Sequence, residues 1–202
     1  MSDDKQLKPK ITVTSFSESA IAKLIEQLEG LETQYPPDQP ILVHIDSYGG
    51  EVSGLSMLYD KLKNMHNPIM TYTSSKAMSA GAILLATAGT KGMRVASPEA
   101  VLMIHELQAG AFGDIKDLED QMALSKVMND RWMKILAKSM GLKGGVDIRS
   151  LIKKKAIGHD VYLTPQEALK LKIIDVVGSV KLMPFYGWNF SMIKEQENKK
   201  ER

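Results

Sequence analysis

Apolar and polar positions along this chain switch between two periods. The runs Ile41-Leu-Val-His-Ile45, Ile69 to Thr73 and Val101-Leu-Met-Ile-His105 are apolar or β-rich without alternation. Such runs predict strands buried on both faces, as in a parallel sheet. Ile11-Thr-Val-Thr14 alternates as a short first strand, Met93 to Ala96 forms another, and Ile173 to Val180 the last. Between them the period is helical. Ser15-x-x-Glu18 has the form of a capping box ahead of Ile21, Leu24, Ile25 and Leu28, with Gly30 and the proline-rich 35–40 segment ending that helix. Val52, Leu55, Leu58, Tyr59 and Leu62 mark a second helix, and an Ala-rich third runs from Ala80 to Gly89. Asp114 is placed to cap a long helix with apolar positions at 115, 118, 122, 128, 132, 135, 136 and 140, stopped by Gly141. Thr164-Pro-Gln-Glu167 starts a final helix with cap, proline and acid in sequence. Strands alternating with helices predict an α/β fold with right-handed crossovers, and no internal repeat interrupts it.

Length and composition narrow the class. With 202 residues and 44% apolar content, the chain can bury one core. The expected division is a disordered arm at 1–10, a domain at 11–181, and an aromatic and charged tail at 182–202. A net charge of +2 makes no strong demand on nucleic acid or membrane. Cysteine is absent, which excludes disulfides and thiolate chemistry and suits a reducing compartment. No run approaches the ~20 apolar residues of a membrane span, and the charged start lacks an apolar leader core. The expectation is a cytoplasmic protein.

The stretch from Thr71 to Leu85 holds the sharpest chemistry. A β-rich run meets a turn of small residues and then an apolar helix, which places Ser79 at a strand-to-helix corner. The helix N-terminus beneath it favours the negative charge that an acyl-transfer intermediate develops. Ala77-x-Ser79-x-Gly81 is one residue away from the nucleophile elbow pattern, while a serine there is also an ordinary helix cap. A serine nucleophile needs a base, and four histidines are available. His44 sits within a buried strand, and His66 and His159 fall in polar loops. His105 ends a buried strand, at the edge where catalytic groups gather in parallel sheets. Asp160, by position alone, is equally a solvated turn residue. The Asp46-Ser-Tyr-Gly-Gly50 turn lets backbone approach a ligand closely, either as a phosphate cradle or as an oxyanion donor beside the Ala80 amide.

Taken together, these segments resemble a known family. Ile45-Asp-Ser-Tyr-Gly-Gly50 resembles the glycine turn of the Clp protease proteolytic subunit, Lys76 to Leu85 its nucleophile motif, and Met103-Ile-His105 the motif of its base. Asp160 to Ala168, with Ile174-Asp175, is similar to its acid loop, last helix and closing strand. Four motifs stand in order over residues 41 to 180, at close to the family's spacing. The resemblance implies an α/β ClpP/crotonase-like spiral of β-β-α units, with a protruding handle helix from about Asp114 to Met140. It implies Ser79 as nucleophile, His105 as general base, Asp160 as its orienter, and the Gly50 and Ala80 amides as the oxyanion hole. The Gln108 to Gly113 segment, with Gly110, would align a peptide substrate as an added strand. The implied activity is that of a serine endopeptidase cleaving unfolded polypeptides or peptides inside a homo-oligomeric ring or double ring. No cofactor or metal is implied, and an AAA+ unfoldase partner only weakly.

Departures from the family pattern are specific. Tyr48 replaces proline, Glu106-Leu107 replaces Gln-Pro after the base, and His159 stands where arginine is common. About ten polar residues precede Ile11, where the family carries the segment of its axial entrance, so a wider pore is expected. These departures motivate a rival reading as a catalytically inactive scaffold subunit. Two others are a crotonase-like acyl-CoA enzyme and a Ser–Lys dyad built on Lys76.

Overall fold

The computed structural model describes residues 8–108, 110, 112–142, 148–150, 152, 154, 159–184 and 188–194, with side chains described as far as Lys181. Nine strands and five helices are defined within them. They run β1 Lys10–Val13, α1 Glu18–Gln34, β2 Ile41–Ile45, α2 Val52–Asn64, β3 Ile69–Thr73, β4 Lys76–Met78 and α3 Ala80–Ala88. Then follow β5 Arg94–Ala96, β6 Val101–Ile104, α4 Ile115–Ser139, β7 Val161–Leu163, α5 Pro165–Lys170, β8 Val176–Pro184 and β9 Trp188–Lys194.

The larger sheet has the order β1-β2-β3-β5-β8-β9, parallel from β1 to β8 and closed by an antiparallel β9. A smaller sheet, β4-β6-β7, pairs β4 with β6 in parallel and β6 with β7 antiparallel. Helix α3 packs against α2, α4, β3 and β4, and all nine of its residues are buried. Being apolar on every side, it has no face to offer water, which is why Ala and Gly dominate its first turn. The core gathers Phe16, Ile21, Leu28, Leu55, Leu58, Leu84 and Leu102 around it, each with essentially no exposed surface. No helix among the described residues is long and apolar enough to cross a membrane.

Several local expectations shift. The cap of α1 is Ser17, whose hydroxyl accepts the Ala20 amide, rather than Ser15. Gly30 does not end that helix. Leu31, only 2% exposed, docks beyond it, and the chain turns at Tyr35 ahead of the prolines. An interior glycine costs only about 1 kcal/mol, which the burial of Leu31 offsets. Lys10, assigned to the arm, is the first residue of β1, and the Pro9 carbonyl just before it accepts the Leu42 amide at 2.8 Å. At the other end β8 runs on past Val180 and forms a hairpin with β9, so part of the tail is sheet. Phe185 and Tyr186 of the aromatic patch lie outside the described residues.

One buried ion pair ties the two halves of the large sheet. The Arg94 guanidinium, 5% exposed, donates to both carboxylate oxygens of Asp175, at 2.8 and 2.6 Å. Burial pushes the Asp175 carboxyl up, but hydrogen bonds from Arg94 and from the Gly92 amide outweigh it and hold the group below the usual carboxylate range.

Candidate active site

Strand β4 delivers Ser79. Its amide is held by the Met103 carbonyl at 2.8 Å, so the small sheet sets the backbone just before the helix. Ser79 then turns with φ 52° and ψ −120°, a strained conformation for a residue with a side chain, and α3 begins at once. Its hydroxyl caps no helix amide. The cap reading would need that bond, so the side chain is free for other chemistry. Its carbonyl still accepts the first helical bond, from Ile83 at 3.0 Å.

The glycine turn is fastened to the same corner. Ser47 and Ala77 form a parallel bridge: Ser47 N–H donates to the Lys76 carbonyl at 3.2 Å, and Met78 N–H donates to the Ser47 carbonyl at 3.0 Å. The Ser47 hydroxyl accepts the Gly49 amide at 3.1 Å, which coils the turn tightly. Gly49 (φ 109°) and Gly50 (φ 148°) both occupy backbone territory that glycine tolerates. Gly50 and Ala80, the first residue of α3, thus border one hollow.

That hollow is a cavity of about 300 Å³ lined by Gly50, Ser79, Ala80 and His105 among others. His105 leaves β6 immediately after Ile104 and is half-buried. Its Nδ1 is held by the carbonyl of Glu106. Asp160 stands just before β7, and the pairing of Ile104 with Val161 places it across the ladder from His105. No hydrogen bond joins the two side chains; Asp160 instead accepts weakly from the Tyr162 hydroxyl at 3.4 Å. The fold therefore brings Ser79 and His105 to one cavity and Asp160 to the neighbouring register position. Gln108 also lines the cavity, whereas Gly110 and Gly113 do not. Gly113, at φ 132°, sits in the bend that leads into α4.

Lys76 is committed elsewhere. Its ammonium donates to Asp46 at 2.7 Å and lies over the Tyr48 ring, 4.7 Å from the centroid. The hydrogen bond it donates to the Asp46 carboxylate raises its pKa. A lysine held protonated is no base for Ser79, which removes the geometric support for a Ser–Lys dyad. His66 is solvent-exposed beside Glu32, and His159 is exposed. His44 stacks on Tyr72 and meets the Ser74 hydroxyl at 2.9 Å. Burial lowers its pKa.

Helix α4 supplies what the sequence reading missed. The Asn129 side-chain carbonyl accepts the Leu107 amide at 2.9 Å, anchoring the segment after the histidine. Arg149 reaches Glu106 at 3.2 Å and also bonds Asp130. Trp132 and Met133 line the cavity, with Trp132 edge-on to Tyr59 at 5.3 Å. The apolar stripe placed Trp132 on α4, but nothing local indicated which neighbour it meets.

Comparison with known proteins identifies the family. A model of the Clp protease family matches residues 6–181. The chain is 35% identical over 154 residues to the ATP-dependent Clp protease proteolytic subunit of Deinococcus radiodurans, covering 76% of this chain and 72% of that protein. Both the extent of the family match and that identity over most of each chain lead to one conclusion. The chain belongs to the Clp protease family.

Proposed function

We propose that this protein is a serine endopeptidase cleaving unfolded polypeptides or peptides within a homo-oligomeric chamber. The observation that carries the reading is Ser79: an uncapped hydroxyl on a strained corner, sharing a cavity with His105 and the Gly50 turn. In the reaction, Ser79 Oγ attacks the scissile carbonyl while His105 takes its proton. The carbonyl oxygen gains negative charge and is held by the Gly50 and Ala80 amides at the positive end of α3. His105 then protonates the leaving amine, and water, activated by the same imidazole, releases the acyl group. Asp160 is the orienter of His105 from the adjacent ladder position. Reaching that role requires the His105 ring to exchange the Glu106 carbonyl for the Asp160 carboxylate. The chamber is supported by the relative's being a proteolytic subunit and by the uncovered apolar side chains on the first half of α4, and a cytoplasmic location is part of the same reading. An AAA+ unfoldase partner is a further part of the proposal, supported by the relative's being ATP-dependent.

That exchange also motivates the second reading. A subunit whose histidine stays on Glu106 is a scaffold, assembled but inactive. Labelling with a fluorophosphonate probe separates the two. The endopeptidase labels at Ser79, loses the label in Ser79→Ala, and cleaves unstructured casein. A scaffold does neither.

A further inference from the structure

Tyr48 is 73% exposed, yet its ring is not loose. One face lies under the Lys76 ammonium, and that ammonium is fixed in turn by Asp46. The two following residues are glycines, and Gly49 has no room for a side chain beside Ser79. Tyr48 is therefore the side chain that this turn projects over the cavity, which it lines together with Ser79. Leu107 and Gln108 line the same cavity. Nothing in the core of its own chain explains a large aromatic ring at that point, since packing leaves most of it uncovered.

We propose that Tyr48 is a specificity-determining residue: a preorganised aromatic wall that stacks on an aromatic side chain flanking the scissile bond of the substrate. Charge decides the class of side chain. A ring with a cation on one face has less negative potential left on the other, so a second cation is disfavoured there. An aromatic group, offset or edge-on, suits that face and loses little entropy against a ring already held in place. The proposal rests on Ser79 being where substrate binds.

The test uses Ser79→Ala as a binding trap and wild type for cleavage. Fluorescent peptides that differ only in Phe or Ala beside the bond to be cut are titrated into Ser79→Ala, alone and combined with Tyr48→Ala or Tyr48→Phe. The Phe peptide should bind more tightly by roughly two- to twelve-fold, the range an aromatic pair supplies. That ratio should collapse with Tyr48→Ala and persist with Tyr48→Phe. In wild type, mass-spectrometric mapping of casein cuts should show Phe, Tyr or Trp enriched at one flanking position, with the enrichment lost in Tyr48→Ala. Equal Phe and Ala binding, a ratio indifferent to Tyr48→Ala, or no peptide binding at all would each overturn the proposal. A change of mass in solution with the preference intact would also overturn it, making Tyr48 a subunit contact. Failure of the peptidase reading looks different: wild type neither cleaves nor labels, whatever the binding ratio.

Discussion

Gly49 lies directly against Ser79. A β-carbon at position 49 would come within 2.7 Å of Ser79 Cβ and 3.1 Å of its Oγ, and the backbone there has φ 109°. Two residues separated by a whole helix and two strands thus share one packing constraint. Gly49→Ala must relieve it by moving the turn or the hydroxyl. Strain of about 1–3 kcal/mol is expected in stability. Misplacement by about 1 Å lowers reactivity by roughly 100-fold. The labelling rate at Ser79, read beside the melting temperature, checks this; an unchanged rate would contradict the close approach.

His105 should carry most of the rate, because Ser79 needs a base to take its proton. His105→Gln should lower the rate by about 10²- to 10⁴-fold. Steady-state peptide hydrolysis is the measurement, and a variant keeping the wild-type rate would point to another base.

Arg94 and Asp175 should dominate the acid sensitivity of the fold. The folded carboxyl titrates below its ordinary value of 3.8, so the pair stabilises fully above that value. Its contribution is lost as pH falls through the lower, folded pKa, because protonation then precedes unfolding. Asp175→Asn leaves the buried Arg94 short of a partner and should cost about 3–5 kcal/mol at neutral pH. Urea denaturation of both proteins should give a difference that shrinks toward pH 3. A constant difference would mean the charge itself contributes nothing.

The first half of α4 should meet other subunits. Its buried residues, Trp132, Met133, Leu136 and Ala137, all fall in the last turns. Ile115, Met122, Leu124 and Val127 are 59–76% exposed, so the earlier turns stand away from the body with apolar side chains uncovered. Trp132 and Met140, on the same apolar spacing, are each 3% exposed and belong to the core. Leu124→Glu with Val127→Glu should reduce the mass measured by light scattering to a smaller multiple of 22.4 kDa. An unchanged mass would place the subunit contact elsewhere.

Much of the architecture was readable from the chain because its signals are local. A capping box spans four residues, so Thr164 and Glu167 announced α5, and Asp114 announced α4, with no knowledge of the rest. Continuous apolar runs at 41–45 and 69–73 declared a parallel sheet because both faces must be covered, whereas the similar run at 101–104 joined the small mixed sheet, antiparallel to β7. The serine corner was legible for the same reason: strand, small residues and apolar helix follow one another directly.

What only the tertiary structure decided depends on partners far along the chain. Lys76 to Met78 becomes a strand through β6 and the bridge at Ser47, although three residues carry too little pattern to signal it. Lys76 could have been a base until the fold set Asp46, 30 residues away, against its ammonium. Arg94 and Asp175 are 81 residues apart, and nothing at either position forecasts the other. The same holds for His105. Its type and its place at a strand end were written in the sequence, but which carbonyl or carboxylate orients the ring is a matter of a few ångströms between separate segments. Periodicity reports which face of an element is buried; the identity of the group across the gap is set by how the elements pack.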